Sequence, residues 1–231
     1  MAWLVHIFTA SGAVFGLLAL EAISNQQFVK SFWLMGIAVL IDSIDGTFAR
    51  WVNIKYRIPQ IDGALLDNIV DYFTYVIIPS FFILKSQLLP DNMQLFFTFA
   101  IPIASAYQFC QKDAKTEDCF FKGFPSYWNI VIFYFFVLQT PKIVNGILSF
   151  ILVIMIFIPI KYVYPSRISN LSNLLWVRLA MQAATLMWGG SLSVLLWYYP
   201  EINLPATIIS ITYILIYILV SIYRTFISLK N

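Results

Sequence analysis

The sequence predicts an all-α, polytopic membrane protein of about eight transmembrane helices, and three observations carry that reading. Of the 231 residues, 61% are hydrophobic and only 11% charged, against about 45–50% and 25% in soluble domains. Apolar runs near twenty residues, the length that crosses a bilayer, recur along the whole chain without strand-like alternation. The cationic residues gather in every second loop between those runs. A soluble enzyme and a disordered chain are thereby excluded, and a net charge of +3, scattered along the sequence, provides no nucleic-acid-binding stripe. Cys110 and Cys119 are too few for a disulfide scaffold or a zinc site and are read as reduced, neutral thiols.

Hydropathy places the spans near 3–20, 28–50, 61–84, 93–110, 127–140, 143–160, 174–197 and 204–224. The first is kept as a membrane helix because no Lys or Arg precedes it and no small-x-small cleavage site follows. Pro90, Pro141, Pro200 and Pro205 mark span boundaries, whereas Pro79 and Pro102 fall inside spans and read as tolerated kinks. Arg50, Lys55 and Arg57 follow the second span. Lys112, Lys115 and Lys122 follow the fourth, and Lys161 and Arg167 the sixth. With Arg178, Arg224 and Lys230 on the same side, eleven of fourteen cations share one face, leaving Lys30, Lys85 and Lys142 opposite. The positive-inside rule then puts both termini in the cytoplasm. With no linker or repeat, residues 1–231 read as one integral membrane domain.

The chemistry is concentrated in residues 41–73, IDSIDGTFARWVNIKYRIPQIDGALLDNIVDYF, which hold five of the eight aspartates. Asp42 and Asp45 are three apart on the second helix, and Gly63, Asp67 and Asp71 are four apart on the third, so each set forms a stripe on one helix face. A turn of ten residues lets the two stripes meet at similar depth. An aspartate in the hydrocarbon costs roughly 2.5–3.5 kcal/mol. Four together need compensation beyond what Arg50 supplies. Oxygen-only donors select hard divalent ions, Mg²⁺ or Mn²⁺, over zinc. Gly46 and Gly63 leave room beside the carboxylates for a phosphate-bearing substrate. The lone histidine, His6, reads as an interfacial or packed side chain. A proton or cation pathway is the purely structural alternative for the same carboxylates.

Asp42-x-x-Asp45-Gly46-x-x-Ala49-Arg50 followed by Gly63-x-x-x-Asp67-x-x-x-Asp71 resembles the signature of the CDP-alcohol phosphatidyltransferases. Eight residue types at fixed spacings match by chance at one start about once in ten billion. The gap from Trp51 to Asp62 holds twelve residues, a form associated with the bacterial branch of the family that makes phosphatidylcholine. Residues 121–134, FKGFPSYWNIVIFY, and 161–167, KYVYPSR, are similar to stretches of that branch.

The resemblance implies a divalent-metal-dependent transfer of the phosphatidyl group of CDP-diacylglycerol to choline, giving phosphatidylcholine and CMP. It implies that Asp42, Asp45, Asp67 and Asp71 are metal ligands around a two-ion site, with Asp71 also the general base on the choline hydroxyl. Asp45, Gly46, Ala49, Arg50 and Gly63 would form the CDP site, and Asp62 stays unassigned. A quaternary ammonium is best recognised by aromatic faces, so Phe124, Tyr127 and Trp128, which open the fifth span, and Tyr75, one turn beyond Asp71, are the choline candidates. Location in the bacterial inner membrane, a cytoplasm-facing site, contact with membrane lipids and a homodimer are further implications. The alternatives are another acceptor (serine, glycerol 3-phosphate or inositol phosphate) or, from a different class, a cation transporter.

Overall fold

The computed structural model describes residues 2–53, 57–114, 116, 120–164 and 175–227. Lys55, Lys115, Cys119, Arg167 and Lys230 lie outside them, as do Pro165 and Ser166 of the 161–167 stretch. Eight helices run through the described residues: α1 (Ala2–Ser24), α2 (Phe28–Val52), α3 (Gly63–Lys85), α4 (Asp91–Cys110), α5 (Trp128–Val137), α6 (Lys142–Met155), α7 (Leu175–Tyr198) and α8 (Leu204–Ile227). Two three-residue strands, β1 (Phe120–Lys122) and β2 (Lys161–Val163), pair antiparallel with Phe121 opposite Tyr162. Six helices are long and apolar enough to cross a membrane, which makes the chain a multi-pass membrane protein.

The fifth and sixth expected spans are the shorter helices α5 and α6, of 10 and 14 residues, or about 15 and 21 Å at 1.5 Å per residue. Both fall short of the roughly 30 Å that a membrane-spanning helix covers, so among the described residues six helices, not eight, have spanning length. α5 starts beside α4, where the Trp128 indole N–H donates to Ser105 Oγ at 3.0 Å. It ends where Gln139 Nε2 donates to the carbonyl of Pro200, between α7 and α8. α6 starts where Asn145 Nδ2 donates to the carbonyl of Leu88, between α3 and α4, and returns so that the Phe124 N–H meets the carbonyl of Met155 at 3.0 Å. The fifth span, expected at 127–140, begins one residue later at Trp128 and ends three residues earlier at Val137, and the segment Gly123–Tyr127 that leads into it is non-helical. Gly123 has φ +81°, and a Cβ there would lie 2.3 Å from the carbonyl oxygen of Ile156. Only glycine tolerates both that backbone and that approach.

Packing follows small residues and rings. Without a hydrophobic drive between helices in lipid, association depends on close contact, and α1 supplies it through Gly12 and Gly16. A Cβ at Gly12 would sit 2.9 Å from Val70 Cγ1, and one at Gly16 2.8 Å from Ile78 Cδ1, both on α3. At the end of the bundle away from the aspartates, Phe28, Phe32, Phe82, Phe133 and Phe136 make mutual ring contacts at centroid distances of 4.9–6.0 Å. Upstream of Pro79, residues Phe73–Ile77 of α3 form a π-helical turn, a local widening found often at functional sites. The carbonyl of Pro102 accepts the Tyr72 hydroxyl at 2.9 Å, tying α3 to α4. Pro90 and Pro141 sit at the starts of α4 and α6, as expected of residues that lack an N–H to donate.

Candidate active site

The last three turns of α2 and the first three of α3 meet at one end of the bundle. α3 begins there because Asp62 caps it, its carboxylate accepting the N–H groups of Ala64 and Leu65 at 3.0 and 3.1 Å. Asp62 therefore has a structural role that the motif left unassigned. Beyond the cap, the fourfold spacing turns Asp67 and Asp71 towards α2. One carboxylate oxygen from each of Asp42, Asp67 and Asp71 lies within 4.8 Å of the others. Asp45 is 5% exposed and lines the same cavity, but it is not part of that tight group. The Tyr75 hydroxyl donates to Asp42 Oδ2 at 2.8 Å, fixing the α2 carboxylate from the helix that carries the other two. Carboxylate oxygens converging at this spacing are a donor set suited to a hard divalent cation.

The cavity above them measures about 500 Å³. Asp42, Asp45, Asp67 and Asp71 form its acidic floor, with Gly46 leaving space among them. Arg50 and Lys112 also line it, two cations suited to phosphate, and the Arg50 guanidinium is steadied by the Thr47 hydroxyl at 3.1 Å. The loop after α4 closes one side. Gln108 Nε2 donates to the carbonyl of Lys122 at 2.8 Å, the Lys122 N–H donates to the carbonyl of Ala114, and Lys122 Nζ pairs with Asp113 Oδ2 at 2.6 Å. The hydrogen bond from Lys122, and then its charge, hold the Asp113 carboxyl below its ordinary pKa, while Asp113 raises that of Lys122. A carboxyl so lowered keeps the clip charged from neutral pH down through the ordinary carboxylate range and loses it as pH falls through the lowered value. Both groups are exposed, so the clip positions the loop more than it stabilises the fold.

The sequence model of the CDP-alcohol phosphatidyltransferase family matches residues 3–159, a stretch that contains every aspartate of this cavity. The chain belongs to that family. It is thus a phosphatidyltransferase, and the nature of its relatives is narrower still. It is 49% identical over 226 residues to the phosphatidylcholine synthase of Legionella pneumophila, covering 97% of this chain and 89% of that protein. With the protein of the same name from Legionella bozemanae it shares 47% identity over 215 residues, 93% of this chain and 99% of the relative. A third, from Borreliella burgdorferi, is 42% identical over 174 residues, 75% and 74% of the two chains.

Within this phosphatidyltransferase, not every residue of the signature or of the expected choline set reaches the cavity wall. Trp128 and Phe124 do not. The Trp128 side chain is 0% exposed, its N–H spent on Ser105 and its ring edge-on to Phe124 at 5.5 Å, so the pair is core behind the wall. Gly63 faces α1, where an added Cβ would meet His6 Cε1 at 3.2 Å. Here the glycine serves helix packing, and His6 is its packed neighbour. Ala49, in the last turns of α2, is also absent from the lining. Tyr75 and Tyr127 do line the cavity, and they are joined by rings that sequence reasoning missed: Phe109, Phe121, Tyr164 and Trp188. Trp188 is held by its N–H donating to the Tyr134 hydroxyl at 3.0 Å and by stacking on Tyr213.

Proposed function

We propose that this chain transfers the phosphatidyl group of CDP-diacylglycerol to choline in a divalent-metal-dependent reaction that yields phosphatidylcholine and CMP. The observation that carries the reading is the sharing of one cavity by a converging carboxylate floor, two phosphate-suited cations and an aromatic wall. The names of the relatives point to the same acceptor. Asp42, Asp45, Asp67 and Asp71 would hold the metal, Mg²⁺ or Mn²⁺ in a two-ion arrangement, which supplies charge stabilisation for the pyrophosphate oxygens. Arg50 and Lys112 bind the phosphates, and Gly46 admits them to the floor beside Asp45.

Asp71 takes the proton of the choline hydroxyl. The choline oxygen forms a bond to the phosphorus that carries diacylglycerol, and the bond from that phosphorus to the CMP oxygen breaks. The Tyr75 hydrogen bond keeps Asp42 aimed during the transfer. The whole chain acts as one catalytic membrane domain, in the bacterial cytoplasmic membrane with the cavity and both termini on the cytoplasmic side, as a homodimer.

Purified protein given CDP-diacylglycerol and, in separate reactions, choline, serine, inositol, inositol phosphate and glycerol 3-phosphate is expected to release CMP and form lipid product with choline. Product with another acceptor in preference to choline would move the chain to a different branch of the family. Choline uptake into sealed vesicles without CMP would make it a transporter.

A further inference from the structure

We propose that four rings from three separate parts of the chain, Tyr75 of α3, Phe121 of β1, Tyr127 at the head of α5 and Tyr164 just past β2, form the subsite for the quaternary ammonium of the acceptor. The inference rests on the choline reading above and adds to it the residues that set acceptor choice. All four rings line the cavity and form a continuous series. Tyr75 and Tyr127 have centroids 5.8 Å apart, Tyr127 and Phe121 6.1 Å, and Phe121 and Tyr164 4.5 Å. The Tyr127 and Phe121 planes meet at 86°, so they form a corner in which a rounded cation can lie against more than one ring. A cation within about 6 Å of a ring centroid is attracted to its face.

Tyr75 joins this corner to the chemistry. Its hydroxyl is on Asp42 while its ring is against Tyr127, so the series begins one side chain away from the carboxylates that receive the acceptor hydroxyl. The two-carbon link between oxygen and nitrogen in choline matches an acceptor that reacts at the floor and is held by the adjoining wall. The nearby cations of the small sheet are turned aside. Neighbouring strand residues face opposite ways, and on the other face of β1 the Phe120 ring receives both Lys161 and Arg224, at 6.0 and 5.3 Å. A primary ammonium entering a ring-walled corner gives up hydrogen bonds to water, whereas trimethylammonium has none to give up.

The wall is also braced. The Lys161 and Val163 N–H groups donate to Thr225 Oγ1 and Ser221 Oγ of α8, and the Tyr217 hydroxyl donates to the carbonyl of Val163. β2 is thus fixed to the last helix, and β1 is fixed to β2. A recognition surface held this way loses little entropy when its ligand binds.

The test uses full-length protein in detergent with both substrates varied. Phe121→Leu and Tyr164→Leu are each expected to raise the KM for choline about tenfold, with kcat and the KM for CDP-diacylglycerol changed less than twofold. Phe121→Tyr and Tyr164→Phe, which keep a ring, should recover most of the loss. Independently of turnover, calorimetry on the wild type should detect binding of tetramethylammonium, weakened in both Leu variants, and much weaker binding of the neutral choline isostere 3,3-dimethylbutan-1-ol. Unchanged choline KM in both Leu variants of an enzyme that does use choline would overturn the cage. Equal binding of the isostere would overturn its cationic basis. Absence of choline turnover in the wild type would instead defeat the underlying functional reading.

Discussion

Asp71→Asn is expected to lower kcat by about 10³-fold, the middle of the range that a positioned general base contributes, while CDP-diacylglycerol still binds. The substitution is nearly isosteric and leaves the neighbouring Asp42 and Asp67 in place, but it removes an anionic oxygen from a group whose members approach within 4.8 Å of one another. An amide can accept a hydrogen bond from the acceptor hydroxyl, yet it cannot keep the proton. The loss should therefore fall on turnover, and excess metal should not restore it. Binding of CDP-diacylglycerol, measured by equilibrium dialysis with labelled nucleotide lipid, separates the two roles. A near-normal rate in Asp71→Asn would remove this residue from the mechanism, and a defect fully rescued by raised Mg²⁺ would reduce it to a ligand.

Stripping divalent ions with chelator should abolish activity altogether, and Mg²⁺ or Mn²⁺ should restore it. The reason is electrostatic. Three carboxylates converge in a half-buried floor, a concentration of negative charge and oxygen donors that suits a divalent cation. Like charges this close repel one another, and a divalent cation among them relieves that repulsion. All the converging donors are oxygen, so Zn²⁺, which favours His and Cys, should restore little. Turnover that persists in metal-free enzyme would contradict this, as would restoration by Zn²⁺ alone.

How much of this was legible in the sequence differs by element. Asp42, Asp67 and Asp71 could be brought together because two helical stripes joined by a short turn leave few other geometries, and the same periodicity put Tyr75 beside them. The packing face made by Gly12 and Gly16 and the helix cap at Asp62 come from the structure alone. Trp128 and Phe124 show the limit. At the head of an apolar helix, composition marks a ring-rich position, but which ring faces the cavity depends on the non-helical path from Gly123 to Tyr127. That path turns Trp128 towards Ser105 and leaves Tyr127 on the wall. Phe121 and Tyr164 were hidden for a different reason. They are 43 residues apart in sequence, and only the pairing of two three-residue strands makes them neighbours. Strands that short carry no periodic signal. The end of α6 at Met155, five residues short of the expected 160, escaped hydropathy because residues 156–160 are as apolar as the helix itself.

The central claim, that this carboxylate and aromatic cavity joins choline to the phosphatidyl phosphorus, can be tested in one mass-spectrometric measurement. Purified protein is given Mg²⁺, CDP-diacylglycerol and choline carrying ¹⁸O in its hydroxyl, and both products are analysed. The predicted result is phosphatidylcholine that retains the ¹⁸O and an equal amount of unlabelled CMP. Label in the nucleotide, or phosphatidylcholine lacking the ¹⁸O, would contradict attack by the choline oxygen on that phosphorus.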